Sequence, residues 1–256
     1  MDSGPGHVAI TGASSGIGAA LAHHYAGPAI TLSLLARNRE RLERVAQDCR
    51  ARGAVVETAI GDVRDADAMA AWIAACEARA RLDLLIANAG IGGFAALAEG
   101  VGEPANKTAA IMATNMLGVA NCVAPLLPRM IARRSGQIAI ISSLAGLTGL
   151  PQAPGYSASK AALGAYGDAL RRQALPHGVR VSVVYPGFVE TPMSQGIPHR
   201  RLFLWSAERA AAHIAARLAR GKGQIVFPWQ LHVAAWAARA LPHGFADAIL
   251  MRTRHR

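Results

Sequence analysis

The chain has 256 residues, 52% hydrophobic and 17% charged, which suits a globular protein with a sizeable core and excludes a disordered one. Its net charge is +11, and residues 197–256 hold ten Lys or Arg against only Glu208 and Asp247. No recognition motif or aromatic–basic array accompanies that charge, so nucleic acid is not an expected partner.

Short apolar runs alternate with helical patterns along the chain. His7–Thr11 predicts a first strand and Ile17–Tyr25 a helix. Ala29–Leu35 predicts a second strand, followed by a charged helix over 39–50. Val55–Ile60 is a third strand with a helix over 66–80, and Leu82–Ala87 a fourth. A long helical stretch covers about 105–132, Gln137–Ile141 is a fifth strand, and a helix containing Tyr156 runs to about Ala174. Val179–Val184, a helix over 207–219 and Gln224–Phe227 complete the pattern. Regular alternation of this kind predicts an α/β fold: a single-domain, Rossmann-type, doubly wound parallel sheet of about seven strands with helices on both faces. Residues 228–256 are read as a helical, basic extension of the same 1–256 domain.

The first strand runs into T-G-A-S-S-G-I-G at Thr11–Gly18, which opens the first helix. Glycines 12, 16 and 18 let the backbone turn tightly and approach a pyrophosphate, which the helix N-terminus favours with free amides and the positive end of its dipole. A plain tight turn is the alternative. The second strand ends in L-L-A-R-N-R: Ala36 stands near the place where a carboxylate would bind an NAD ribose, and Arg37 follows it. A guanidinium there pairs with a 2′-phosphate, aided by Ser14 or Ser15, so NADP(H) is expected over NAD(H). The alternative is that Arg37 only starts a solvated helix; Arg39 and Arg41 read as surface charge. Asp62, after the third strand, either accepts a hydrogen bond from an adenine amino group or caps the next helix.

Tyr156 and Lys160 sit in Y-S-A-S-K, thirteen residues after Ser143 in I-S-S-L-A-G. Four residues make about one helical turn, so the phenol and the ammonium share a face. A nearby cation favours the phenolate, and a serine hydroxyl could hold a substrate oxygen, which together describe a proton-transfer site.

With these motifs in place, the chain resembles the short-chain dehydrogenase/reductase family over roughly residues 7–227. T-G-A-S-S-G-I-G, the N-A-G at Asn88–Gly90, the N-x-x-G at Asn115–Gly118, I-S-S, Y-S-A-S-K and P-G-F-V-E-T at Pro186–Thr191 occur in the family's order. The resemblance implies that Tyr156 is the acid in reduction and the base in oxidation. Lys160 would lower its pKa and bind the nicotinamide ribose, Ser143 rather than Ser142 would hold the carbonyl oxygen, and Asn115 would interrupt its helix and hold a water in a proton relay to Lys160. Gly12, Ser14, Ser15, Gly16, Ile17, Gly18, Arg37, Asp62, Val63, Asn88, Ala89 and Gly90 would bind the adenosine and phosphate side. Pro186, Gly187, Val189 and Thr191 would bind the nicotinamide end. The expected reaction is hydride transfer between NADP(H) and a carbonyl or secondary alcohol; an inactive cofactor-binding regulator that keeps the fold is the other reading. The family also implies a homo-dimer or homo-tetramer.

Substrate walls are expected from Ile91–Phe94, Leu144–Pro154 and Met193–Phe203, with Leu144, Leu147, Leu150, Phe188, Met193 and Leu202 lining an apolar space; Arg200 and Arg201 are read as facing solvent, with reach to a ligand from a lid as the alternative. A lipophilic substrate follows. No segment reads as a transmembrane helix, because the uncharged Ser135–Ser159 stretch is broken by Gly, Ser and Pro. The start M-D-S-G-P-G-H lacks a signal-peptide pattern. Cys49, Cys76 and Cys122 are scattered, without C-x-x-C or zinc spacing, so no disulfide is expected; they fit a reducing cytoplasm. Adjacent His23 and His24 point to different helix faces, and no metal is expected. In the tail, Leu231, Ala234, Ala235, Ala238 and Leu241 recur at helical spacing near Trp229 and Trp236. This segment either packs on its own domain or a partner subunit, or lies peripherally on an anionic inner membrane surface.

Overall fold

In the computed structural model, which describes residues 4–92, 103–195, 201–240 and 244, seven strands form one parallel sheet. They are β1 His7–Thr11, β2 Thr31–Ala36, β3 Val55–Ile60, β4 Leu84–Ala87, β5 Gln137–Ile141, β6 Arg180–Pro186 and β7 Gln224–Phe227. Their order is β3-β2-β1-β4-β5-β6-β7, so the winding reverses between β1 and β4 and leaves a crevice at the carboxyl ends of the strands. All residues of β1, β4 and β5 are buried, as a sheet covered on both faces requires.

The helices are α1 Gly16–Tyr25, α2 Arg39–Ala51, α3 Ala66–Arg79, α4 Ala105–Met112, α5 Gly118–Ala132, α6 Pro154–Ala174, the short α7 Pro192–Gln195, α8 Ala207–Ala219 and α9 Trp229–Ala240. One core joins α1, α2 and α8 to the sheet through Leu21, Leu42, Ala46, Ala211 and Ile214. The opposite core joins α3, α5 and α6 through Met69, Ile73, Val123, Leu126 and Leu163. Asn38 caps α2 by accepting from Arg41 N at 2.8 Å, and Asp65 caps α3 by accepting from Ala68 N at 2.9 Å.

The start of the second strand departs from the sequence reading for a local reason. The second strand begins at Thr31 because Ala29 takes φ of +64° in the preceding turn. The Tyr156 helix begins at Pro154, where a missing N–H costs nothing in the first turn. The 105–132 stretch is interrupted by a π-turn, Ala113–Leu117, that contains Asn115, the residue at which an interruption was expected. That continuous run of 28 residues is also long and apolar enough to cross a membrane by length and composition, contrary to the reading that none is. Here Val119, Cys122, Val123, Leu126 and Met130 are buried in the core between sheet and helices.

Candidate active site

A cleft of about 1440 Å³ runs over the carboxyl ends of the strands. At one end, Gly12 turns the chain out of β1 with φ of +67°, and a Cβ there would stand 2.8 Å from Ala89 Cα. Thr11 Oγ1 accepts from the amides of Asn88 and Ala89, and Asn88 Nδ2 donates to the Thr11 and Gly12 carbonyls. The N-A-G segment therefore braces the glycine turn with its side chain and lines the cleft beside it. No side chain caps α1: Ser15 is its N-cap residue and makes no capping bond. Free amides at a helix N-terminus, facing a cleft floored by Gly12 and Gly16, fit the pyrophosphate of a dinucleotide.

Every predicted cofactor position lines the cleft except Gly18. A Cβ at Gly18 would collide with the Gly12 carbonyl oxygen and the Asn88 amide, so this glycine lets α1 pack closely on the turn instead of walling the site. At the far end, Arg37 is exposed, with Nη1 3.8 Å from Asp62 Oδ2. Asp62 also accepts two bonds from the Arg64 guanidinium, at 3.0 and 2.7 Å, and one from Arg64 N at 3.0 Å. The Arg64 hydrogen bonds hold the Asp62 carboxyl below the ordinary carboxylate range. Arg41, read from sequence as surface charge, lines this end beside Arg37.

At the opposite end, α6 presents Tyr156 and Lys160 to the cleft beside Ser143. Ser142 donates its hydroxyl to Lys160 O at 2.7 Å, so it is committed to the α6 backbone. Ser143 Oγ accepts from Ala145 N at 3.1 Å and is hydrogen-bonded to Tyr156. Lys160 Nζ donates to Ile141 O at 2.9 Å and lies 5.6 Å from the centre of the Tyr156 ring. Burial pushes Lys160 down to about 8, because a dry setting disfavours the ammonium. Burial pushes Tyr156 up, opposed by the bond to Ser143. Desolvation is the larger effect on the phenol here, and Lys160 is not among the groups that shift it. A neutral phenol at this position holds a proton at neutral pH and can deliver it to an oxygen that gains negative charge.

Asn115 lies below the cleft and is fully buried. Its Oδ1 accepts from Ile91 N at 2.8 Å, and its Nδ2 donates to Ile91 O at 3.1 Å and Ser159 Oγ at 3.0 Å. Ser159 in turn donates to Tyr156 O at 2.8 Å. The π-turn thus aims Asn115 at the segment after β4 and, through Ser159, at the helix that carries Tyr156. Sequence reasoning passed over Ser159, and also Ser157, whose Oγ accepts from Leu150 N at 3.0 Å and ties the substrate wall to α6. The only signal for either was their place inside Y-S-A-S-K.

The substrate end is walled by Ile91, Leu144, Leu150, Phe188, Met193 and Leu202, with Thr148 and Gln152 as polar members. Leu147 instead packs behind Leu144 and Tyr185. Leu231, Ala234 and Ala235 bring α9 to the same wall, a role the tail's helical spacing did not disclose. Phe94 and Arg200 lie outside the described residues. Among the described residues, no group of His, Cys, Asp or Glu could hold a metal ion.

A family model described as short chain dehydrogenase matches residues 6–202. An uncharacterized oxidoreductase of Myxococcus xanthus (strain DK1622) is 36% identical over 246 residues, which cover 96% of each chain. Among solved structures, levodione reductase superposes with a TM-score of 0.78 at 26% identity, covering 86% of this chain and 94% of that one. A short chain dehydrogenase from Mycobacterium paratuberculosis bound to NAD superposes with a TM-score of 0.75 at 26% identity, covering 86% and 96%.

Proposed function

The chain belongs to the short-chain dehydrogenase/reductase family, and from that premise we propose that this oxidoreductase reduces a lipophilic carbonyl compound with NADPH, reversibly to the corresponding alcohol. The observation that carries the reading is the convergence of Ser143, Tyr156 and Lys160 on one cleft with the uncapped N-terminus of α1. NADPH, when bound, would supply the hydride to the carbonyl carbon. Ser143 holds the carbonyl oxygen and stabilises the charge that grows there. Tyr156 gives its proton to the same oxygen and becomes phenolate, which Lys160 favours while it is cationic. In the oxidative direction the phenolate takes the proton back. Asn115 is assigned to positioning: it fixes Ile91 and Ser159, and in the proposed relay a water between it and Lys160 returns a proton to the site.

NADP(H) is favoured over NAD(H) because Ala36 offers no carboxylate at the end of β2 while Arg37 and Arg41 line that end. The apolar wall, with only Thr148 and Gln152 as polar members of its Leu144–Pro154 side, favours a hydrophobic ketone or aldehyde. NADPH oxidation over a panel of aliphatic, aromatic and dicarbonyl compounds tests the reading. Turnover of hydrophobic members that is lost in Tyr156→Phe supports it; equal inertness of both proteins while NADPH still binds would remove it.

For location we propose a cytoplasmic homo-oligomer whose α9 touches an anionic membrane surface. Trp229, Val233 and Trp236 recur at i, i+4 and i+7 and are exposed on the face opposite Leu231 and Ala235. Co-sedimentation with anionic vesicles that is lost in a Trp229→Ser, Trp236→Ser double variant supports this contact, and no sedimentation of the wild type removes it.

A further inference from the structure

The catalytic helix α6 begins without a cap of its own: Ala153 at its N-cap offers no side-chain acceptor, and Pro154 has no N–H. The first backbone donor of the helix is Gly155 N, immediately before Tyr156. It donates at 2.9 Å to Glu103 Oε2, a carboxylate 52 residues away at the start of α4. The same oxygen accepts from Thr108 Oγ1 at 2.9 Å, and Oε1 lies 3.6 Å from Lys107 Nζ. The Glu103 side chain is only 5% exposed, so this is a carboxylate taken out of water and placed at the positive end of the α6 dipole.

Gly155 is what allows the approach. A Cβ there would collide with Glu103 Oε2 and stand 3.2 Å from Thr108 Cα. The carboxylate therefore fixes α4 to the first turn of α6 at the one residue that separates Pro154 from Tyr156. From the other side, Ser159 holds Tyr156 O and is itself held by Asn115. Tyr156 thus lies between two tethers, one on the amide before it and one on its own carbonyl.

We propose that Glu103 is a positioning residue for Tyr156: by accepting the Gly155 amide it sets the pitch of the first turn of α6, and so the place of the phenol relative to Ser143. The proposal rests on the carbonyl-reducing reading for its kinetic consequence but not for the tether itself. Glu103→Gln keeps an oxygen for the Gly155 amide, whereas Glu103→Ala leaves that amide unpaired. Gly155→Ala pushes the carboxylate away without removing it.

The full-length protein is assayed with NADPH and an aromatic α-diketone such as phenanthrenequinone, and NADPH affinity is measured separately by fluorescence titration. Hydrogen exchange of the 156–163 amides is followed in the same variants. The expected result is a fall in kcat of about tenfold to a hundredfold for Glu103→Ala and Gly155→Ala, as a displaced catalytic group gives. Kd for NADPH should stay within twofold, and Glu103→Gln should recover to within threefold of wild type. Faster exchange in Glu103→Ala and Gly155→Ala, but not in Glu103→Gln, accompanies it. Wild-type kcat in Glu103→Ala, or a loss confined to NADPH binding, overturns the proposal. Unchanged exchange overturns it as well. If the wild type reduces no carbonyl yet exchange follows this pattern, the tether stands and only the carbonyl reading falls.

Discussion

Replacing Arg37 by Ala tests the proposed NADPH preference at the residue on which that proposal rests. The side chain is 63% exposed, and among the described residues its one ion pair is with Asp62 at 3.8 Å, worth about 0–1 kcal/mol at such exposure. Folding stability should therefore barely move. A guanidinium bonded to a 2′-phosphate contributes about 1.5–3 kcal/mol, and solvent exposure puts the expected loss at the low end. That corresponds to roughly a tenfold fall in kcat/KM for NADPH, with NADH changed by less than about twofold. Arg41 lines the same end and retains part of the phosphate contact, so Arg37→Ala, Arg41→Ala should lose more than the single variant. The assay is initial rate against each cofactor at fixed carbonyl, repeated at 50 and 300 mM salt. The NADPH advantage should shrink with salt in the wild type and be nearly salt-independent in the double variant. A wild type that prefers NADH, or an NADPH-to-NADH ratio untouched by both substitutions, would refute the assignment.

Other outcomes follow from the same geometry. Ser143→Ala should lower kcat by about a hundredfold or more, because it removes a donor to the developing oxyanion. Ser142→Ala and Ser143→Ala should each lower stability by about 0.5–1.5 kcal/mol in urea unfolding, since one hydroxyl bonds Lys160 O and the other accepts from Ala145 N. Lys160 titrates at about 8 when folded and 10.5 when unfolded. Between those values the unfolded chain binds more protons, so its contribution makes stability rise with pH across that window, by up to about 3 kcal/mol. Urea titrations of the wild type and Lys160→Met at pH 7.5 and 9.5 should show the difference shrinking or vanishing in the variant. Asn115→Leu leaves the Ile91 amide and carbonyl without their partner and removes the donor to Ser159 Oγ, so a loss of about 1–3 kcal/mol and weaker turnover are expected in the same assays.

Much of this site was legible because its chemistry is local in sequence. Glycine 12 has to turn the chain, Tyr156 and Lys160 need one helical face, and Ala36-Arg37 marks the end of a strand. Each of these is fixed by residue type and short spacing. What was hidden depends on contacts between distant segments. Glu103 caps α6 from 52 residues away, and Ser142 and Ser143 differ in role only because α6 brings Lys160 O to one of them. Arg41 looked like surface charge because it is exposed, yet the α2 start turns it toward the cleft. The burial of Tyr156 and Lys160 was hidden for a related reason: spacing shows that a lysine is near, but not how dry the two groups become together. The tail's helical period was visible, while its place on the substrate wall needed β7 to set where α9 starts.

In the proposed mechanism Tyr156 delivers the proton to a carbonyl oxygen while the cleft holds the nicotinamide cofactor. This step is tested most directly by NADPH-dependent turnover of a hydrophobic carbonyl in wild type and Tyr156→Phe, with NADPH affinity measured for both. The variant should bind NADPH within about twofold of the wild type and lose at least about a hundredfold in kcat, the lower end of the usual range for a general acid. A variant that reduces the same carbonyl at the wild-type rate would contradict it.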